Sequence, residues 1–235
     1  MRQDLQNRLF NAYPELFRDR GSSPLVYGVE CDAGWYPILD ALCSVLVAHA
    51  ERVGHEPARF RQIKEKFGGL RAYADIEDDY ERGALTAAER MSWHVCERSG
   101  QPGRLRVRRG YYLTLADDIA AQEGFSPVHP LPGHAEADRL LQGVRAELVP
   151  GPVDVPSGWR HLVDALLDGL AWDDEQRPEL SDLRVLRVSA EHGRLVLVAK
   201  GADQRQAGQI ALAIALADRI DPATGAPKGD LEATP

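Results

Sequence analysis

The segment that begins at Cys96 has the pattern of a zinc knuckle that keeps one of its four ligands. In such a knuckle two thiolates two residues apart bind one tetrahedral ion, and a second pair follows about 15–20 residues later. Here Cys96 stands first in residues 96–103 (CERSGQPG), but Ser99 takes the second position, and Ala116 and Ile119 take the third and fourth. One thiol does not hold structural zinc, so the sequence predicts no metal and no cofactor here.

The seven histidines and the nucleophilic residues form no recognisable site along the sequence. His94 lies two residues from the lone knuckle thiol, and residues at that spacing point to different faces of a helix. His129 and His134 lie in a proline-rich stretch, and His161 and His192 are expected at the surface. Nucleophilic catalysis needs a base beside a nucleophile on a strained turn, and no local pattern indicates one. We therefore predict no catalytic residues and no enzyme activity, although a site built from distant residues stays open.

The densest charge in the chain is an acidic segment at residues 75–81. One interpretation is structural, because carboxylates stabilise the N-terminus of a following helix. The other is a docking face for a basic partner, with a tyrosine as its aromatic anchor. The partner-binding residues predicted on that second interpretation are Asp75, Glu77, Asp78, Asp79, Tyr80 and Glu81.

A segment of opposite charge, residues 104–109 (RLRVRR), places arginines at alternating positions of an expected strand. Charged side chains at a sheet edge prevent pairing with other strands, so a solvated edge is the first interpretation. Contact with phosphate or with an acidic partner is the alternative.

Three blocks of sequence recur in the same order about 125 residues later. Residues 34–46 (GWYPILDALCSVL) recur as 158–170 (GWRHLVDALLDGL), 63–70 as 188–195, and 95–102 as 220–227. Apolar periodicity alone does not produce the shared Gly-Trp and Gly-x-Pro pairs. The fold class predicted is α+β, with two degenerate αββα (helix–hairpin–helix) modules related by internal duplication.

Each module is expected to contain a helix, a hairpin and a second helix. Helical spacing of apolar residues and alternation around glycine turns place these elements. In the first module the hairpin is predicted around Gly68 and Gly69 and the second helix over 85–95. In the second module the first helix is predicted over 158–171, the two hairpin strands over 183–190 and 194–200, and the second helix over 204–220. The two hairpins either join into one sheet or pack separately beneath their own helices.

The predicted domain organisation has three parts. Residues 1–120 form the first module with an N-terminal helical extension and the degenerate knuckle, and 157–235 form the second module with a frayed tail. Between them, residues 121–156 are a proline-rich linker with one helix, expected over 134–148.

About residues 25–120 resemble an uncharacterised family of small bacterial and phage proteins. The resemblance rests on Gly34-Trp35, on residues 64–73 (KEKFGGLRAY), and on the knuckle that begins at Cys96. Members of the family carry a helix, a KEKFGxLRxY hairpin and a four-ligand knuckle. The resemblance implies that fold for the first module; it implies no metal, because three ligand positions differ, and it names no activity.

Composition and charge reduce the number of functional classes that the sequence favours. The chain has 235 residues, 44% of them hydrophobic and 27% charged, with no apolar run near the ~20 residues of a membrane span and no secretory signal at its start. Three cysteines do not form a disulfide framework, which favours a reducing cytoplasm. The net charge is −8, with −3 on residues 1–147 and −5 on 148–235, which disfavours nucleic-acid binding.

These features together predict a bacterial, cytoplasmic protein-binding protein. The most specific hypothesis is an immunity or antidote protein that neutralises a basic toxin domain by direct binding. The alternatives are a nucleic-acid-associated regulator derived from a zinc-knuckle protein and a phage-derived accessory protein. No membrane partner is expected, and the oligomeric state is left open.

Overall fold

The computed structural model describes residues 1–128, 143, 145–177, 182–229 and 231. The fold is α+β, as predicted. Most of the predicted linker helix 134–148, with His129 and His134, lies outside the described residues, although 145–148 are helical.

The α-helices are α1 (Gln3–Ala12), α2 (Tyr36–Val53), α3 (Asp79–Ser92), α4 (Asp117–Glu123), α5 (Ser157–Gln176) and α6 (Gln204–Ala217). The strands are β1 (Arg59–Lys66), β2 (Gly69–Asp75), β3 (Arg104–Arg108), β4 (Tyr111–Leu115), β5 (Ser126–Pro127), β6 (Val153–Asp154), β7 (Arg184–Glu191) and β8 (Arg194–Lys200). Short 3-10 helices span Arg20–Ser22, Pro24–Tyr27 and Ala33–Trp35. The strands form three sheets with the orders β1-β2, β4-β3-β5 and β6-β7-β8.

Helix α2 is the central helix of the core. Proline in its first turn lacks the amide proton that would have no partner there, and Gly54 ends it in the left-handed conformation at φ 79°. The stretch Ala33–Val53 is long and apolar enough to cross a membrane, which the sequence analysis did not expect. However, 67% of its apolar window is buried inside the protein, as in the core helix of a globular fold.

Both predicted hairpins are confirmed, and they pack separately rather than in one sheet. Each turn places a residue and then a glycine at positive φ: Phe67 (55°) with Gly68 (81°), and His192 (52°) with Gly193 (77°). Two such residues give the twist that a tight hairpin needs. The first turn therefore lies one residue earlier than the predicted Gly68-Gly69, and Gly69 begins β2.

Helix α3 begins six residues before the predicted start at 85. Asp78 caps its N-terminus by accepting a hydrogen bond from the Glu81 amide, so the acidic residues that follow belong to the first turn. The helix ends at Ser92, because Trp93 and His94 turn the chain toward the knuckle.

Helix α6 packs closely against α3, and each of the two helices has a glycine at the contact. A Cβ added at Gly83 would lie 1.9 Å from the Arg205 carbonyl oxygen, and one added at Gly208 would lie 2.0 Å from the Tyr80 carbonyl oxygen. The buried core runs without a break through both halves of the chain. The two predicted modules therefore share one core.

Equivalent details recur in both halves. Trp35 and Trp159 are fully buried, and their Nε1–H groups donate to the backbone oxygens of Val95 (2.8 Å) and Ile220 (3.2 Å). A register shift follows the second residue of each hairpin, between Phe60 and Gln62 and between Val185 and Arg187. A short parallel pairing joins each hairpin, Glu30 with Lys64 and Asp154 with Ser189.

Candidate functional site

The acidic segment predicted to bind a partner builds the start of α3. Asp78 Oδ1 accepts from the Glu81 amide at 3.0 Å, and Glu81 Oε2 accepts from the Glu77 amide at 2.7 Å. These bonds satisfy amides that a helix N-terminus leaves without intrahelical partners. The structural interpretation of the segment therefore accounts for two of its carboxylates.

Only part of the segment is available to a partner. Glu81 has 0% exposure, so its predicted place in a docking face is wrong. Asp75 is exposed but pairs with Arg61 at 2.5 Å, and this hydrogen bond lowers the pKa of the Asp75 carboxyl. Asp79 is exposed and lies 3.3 Å from Arg82, while Glu77 is exposed.

The Tyr80 ring, predicted to be an anchor, is already engaged within the protein. It stacks on the His49 ring with centroids 3.9 Å apart and planes 7° apart. The Arg52 guanidinium lies 5.6 Å from the Tyr80 ring centroid. Burial raises the pKa of Tyr80. Its side chain therefore orders the junction of α2 and α3 rather than projecting as a free aromatic group.

Histidines that the sequence analysis did not combine meet beside the same aspartate. His49 Nε2 lies 2.6 Å and His55 Nε2 lies 3.5 Å from Asp78 Oδ2. His161, expected at the surface, is half-buried. Burial is the main cause that lowers the pKa of His161 to about 4, and the charge of the nearby His94 is a second cause. His192 is exposed, as expected.

The knuckle keeps its backbone turn around an apolar interior. The Gly100 amide donates to the Cys96 carbonyl at 2.8 Å, and the Cys96 amide donates to the Gln101 carbonyl at 2.7 Å. Cys96 and Ala116 are buried in a small apolar cluster against which Ile119 packs. The other members of this cluster are Leu113, Leu115, Ala120 and Phe125.

The arginine segment is not a solvated sheet edge. Strand β3 lies between β4 and β5, so the edge interpretation is wrong for this strand. Arg106 is buried and pairs with Asp117, as does Arg104. Arg108 lies 4.5 Å from the Phe125 ring centroid and donates to a backbone carbonyl. Three of these four arginines thus serve contacts within the fold.

A pocket of about 330 Å³ gathers four carboxylates from three separate segments of the chain. Its acidic residues are Glu30, Asp32, Glu65 and Glu97. Cys31, Met1, Arg98, Tyr111 and Leu113 complete the lining. The four carboxylates are spread over 68 positions of sequence, from 30 to 97, which is why sequence reasoning missed the pocket.

Glu97 is the unusual member of this pocket. Its side chain is 3% exposed; Oε1 accepts from the Asp32 amide at 3.1 Å, while Oε2 has no hydrogen-bond partner within the described part of the chain. Burial, reinforced by the charges of Asp32 and Glu65, raises the pKa of Glu97 from 4.5 to about 7. A buried carboxylate without a second partner favours either a proton or an added cation.

The carboxylate pocket opens beside a larger depression of about 620 Å³. The two share Asp32 and Arg98, and the larger one is also lined by Ser99 and Gln101 of the knuckle loop. Arg98 Nη1 donates to Asp32 Oδ2 at 2.6 Å on the boundary between them. The knuckle loop therefore forms one wall of a continuous concave surface.

Two of the cysteines are poorly suited to nucleophilic chemistry. Cys31 and Cys43 are buried, and burial raises the pKa of each thiol. The reactive form of cysteine is the thiolate, which burial in apolar surroundings disfavours.

A scan against models of known protein families found no match, and neither did searches of curated proteins and of solved structures. The resemblance of residues 25–120 to the knuckle-containing family stays a prediction, and function is argued from the geometry of the site.

Proposed function

We propose that this chain is a protein-binding protein whose partner presents basic side chains, and most specifically an immunity or antidote protein that neutralises a toxin domain by direct contact. The observation that carries the proposal is the carboxylate pocket, in which a buried oxygen of Glu97 has no hydrogen-bond partner among the described residues. A lysine or arginine of the partner would supply that missing hydrogen bond and the compensating charge.

Electrostatics supports a basic partner in two ways. The net charge of −8 attracts a cationic protein over distances up to a Debye length of about 8 Å at physiological salt. The pocket then offers a specific anchoring point, because a cation buried beside Glu97 relieves the repulsion among Asp32, Glu65 and Glu97. Steering would mainly raise the association rate, while the anchor would slow dissociation.

The acidic segment keeps a smaller part in this proposal. Glu77 and Asp79 remain exposed and contribute to steering, whereas Asp75, Asp78 and Glu81 are engaged within the fold. Glu77→Lys with Asp79→Lys should slow association by a few-fold at low salt and less at high salt.

The nucleic-acid alternative is less well supported. Binding to the phosphate backbone needs free cationic groups, and Arg104, Arg106 and Arg108 are committed to contacts within the chain. A phage-derived accessory protein stays an alternative, since it too would bind a protein partner.

A cytoplasmic location belongs to the same proposal. The three cysteines are free and buried, which suits a reducing compartment.

We also propose that the scaffold arose by internal duplication. Reciprocal contacts support this: a Cβ added at Gly100 would lie 2.4 Å from Pro227 Cγ, and one added at Gly225 would lie 2.7 Å from Pro102 Cγ. The contacts between α3 and α6 are reciprocal as well, because Gly83 of α3 lies against the α6 backbone and Gly208 of α6 lies against the α3 backbone. Such a pattern is expected of two similar modules related by a pseudo-two-fold axis, as in a dimer joined into one chain.

The test of the binding proposal is calorimetric titration with the purified protein encoded by the adjacent gene, since immunity and toxin genes are neighbours. We expect tight binding by wild type, and binding at least about tenfold weaker for Glu97→Gln, because an amide cannot pair with a cation as a carboxylate does. The matched control is Glu51→Gln, an exposed glutamate at the end of α2, which should bind like wild type. Absence of binding by wild type contradicts the immunity hypothesis.

A further inference from the structure

We propose that His49, His55 and Asp78 form a binding site for a divalent transition-metal ion, with Zn²⁺ as the preferred occupant. One ligand atom of each residue lies within 4.8 Å of those of the other two. Two imidazoles and one carboxylate are a ligand set that zinc accepts, with a fourth position left for water. This site is separate from the knuckle and from the carboxylate pocket.

The three ligands come from the ends of adjacent helices. His49 lies on the last turns of α2, His55 follows the left-handed Gly54 that ends this helix, and Asp78 caps α3. The Gly54 amide donates to the Ala50 carbonyl at the end of α2, and the Glu81 amide donates to Asp78 Oδ1 at the start of α3, so the site is built from fixed helix ends. Preorganised ligands bind an ion more tightly, because less conformational freedom is lost on binding.

Asp78 and His55 each have one atom held by the backbone and a second atom that faces the cluster. Asp78 Oδ1 accepts from the α3 amide, which leaves Oδ2 between the two imidazoles. His55 Nδ1 lies 2.8 Å from the Glu56 carbonyl oxygen, so Nδ1 carries the proton and Nε2 presents its lone pair. Such a carbonyl partner on the remote nitrogen is typical of metal-binding histidines.

The free nitrogen of His55 has no other role within the described residues. His55 Nε2 is buried and has no hydrogen-bond partner there; its 3.5 Å separation from Asp78 Oδ2 is too long for a hydrogen bond. Two ligands that each lie about 2.0–2.1 Å from a tetrahedral ion are roughly 3.3 Å apart. The His55 to Asp78 separation therefore matches that of two zinc ligands.

The ring proton of His49 must move from Nε2 to Nδ1 before Nε2 can bind the ion. Arg52 Nη2 lies 2.7 Å from His49 Nδ1, and since an arginine only donates, Nε2 carries the proton and donates to Asp78 at 2.6 Å. Metal binding moves this proton to Nδ1, displaces the exposed Arg52 and widens the His49 to Asp78 separation. Arg52 therefore competes with the ion.

Tyr80 limits the reorganisation that this requires. Its ring stacks on His49 and holds the imidazole plane. The separation between His49 Nε2 and Asp78 Oδ2 therefore widens by a small movement of the Asp78 side chain, without rotation of the histidine ring. The side chains of His55 and Asp78 are 25% and 23% exposed, so an ion can reach the site from solvent.

The experiment is a calorimetric titration of untagged, chelator-treated full-length protein with ZnCl₂. We expect one site per chain with a dissociation constant tighter than about 10 μM. His55→Ala and Asp78→Asn should each weaken binding by more than about tenfold; the asparagine is used because it caps a helix as well as aspartate does. Arg52→Gln should bind zinc more tightly than wild type, which a purely structural role of the cluster would not produce.

The control variant is His192→Asn, which removes an exposed hairpin histidine and should leave zinc affinity unchanged. Nitrogen-detected NMR of the imidazoles should show that zinc shifts the Nε2 resonances of His49 and His55. Binding weaker than about 10 μM, or equal affinity of wild type and His55→Ala, overturns the proposal. Loss of zinc on Cys96→Ser without loss on His55→Ala also overturns it, since the ion would then occupy the knuckle.

Discussion

At the residue scale, the acidic side chains Glu81 and Glu97 are both almost completely buried, with 0% and 3% exposure. Glu81 belongs to the predicted acidic face, yet its side chain is buried because it accepts a hydrogen bond at the helix start. No sequence pattern singled out Glu97, yet it is the buried acid of the carboxylate pocket. Burial and pairing depend on tertiary neighbours, and local sequence does not contain them.

Replacement of Glu97 by glutamine should stabilise the protein at alkaline pH. The pKa of Glu97 is raised from 4.5 to about 7, so the folded state binds this proton more tightly than the unfolded state does. Ionisation therefore destabilises the fold progressively from pH 4.5 to pH 7, by on the order of 3 kcal/mol above pH 7. Glu97→Gln keeps the acceptor for the Asp32 amide and avoids this ionisation.

Urea unfolding at pH 4 and pH 8 measures the effect. The variant should exceed wild type by on the order of 2–3 kcal/mol at pH 8 and equal it at pH 4. A variant that is less stable than wild type at pH 8 would mean that the carboxylate is paired within the chain. A stabilised variant that binds its partner poorly would place Glu97 in function rather than in folding.

The half-buried His161 should make the protein sensitive to acid. Its pKa is lowered to about 4, below the ordinary 6.5, so the neutral form is favoured in the folded state. The associated stability is present above pH 6.5 and is lost as the pH falls toward 4, by on the order of 3 kcal/mol. His161→Leu should flatten the dependence of unfolding free energy on pH between 6.5 and 4, and an unchanged slope would contradict the assignment.

At the element scale, the helices and hairpins were predictable because apolar periodicity and glycine turns determine them locally. Both hairpins appear where the alternation placed them, whereas α3 starts earlier, because its cap at Asp78 was interpreted as surface charge. The edge interpretation of β3 failed because strand order depends on β5, a two-residue strand with no sequence signal of its own.

The close approach of α3 and α6 should depend equally on two glycines. An alanine Cβ at Gly83 or at Gly208 would meet backbone oxygen of the facing helix near 2 Å, so the helices must separate. Each substitution should cost about 2–3 kcal/mol of unfolding free energy, measured by urea denaturation. Gly21→Ala is the control and should have little effect, because a Cβ at this site would meet no atom of the described residues within 4 Å. A tolerated alanine at either helix position would contradict the packing described here.

At the scale of the whole molecule, both halves of the chain share one core, and the concave surface beside the knuckle loop contains a buried acid in a chain of net charge −8. The α+β class was predictable from patterns along the chain, whereas the internal duplication stays a prediction. The carboxylate pocket and the histidine cluster could not be predicted, because each joins residues from elements that meet only after folding.

The most direct test of partner binding through Glu97 is the pH dependence of the dissociation constant for the protein encoded by the adjacent gene. A Glu97 carboxyl with pKa about 7 is roughly nine-tenths protonated at pH 6, and a bound cation competes with that proton. The charges nearest Glu97 are those of Asp32, Glu65 and Arg98, and Glu30 and the Met1 ammonium also line the pocket. We predict that wild type binds about tenfold more weakly at pH 6 than at pH 8, and that Glu97→Gln binds weakly at both. Equal affinity of wild type and Glu97→Gln at pH 8 would contradict the account.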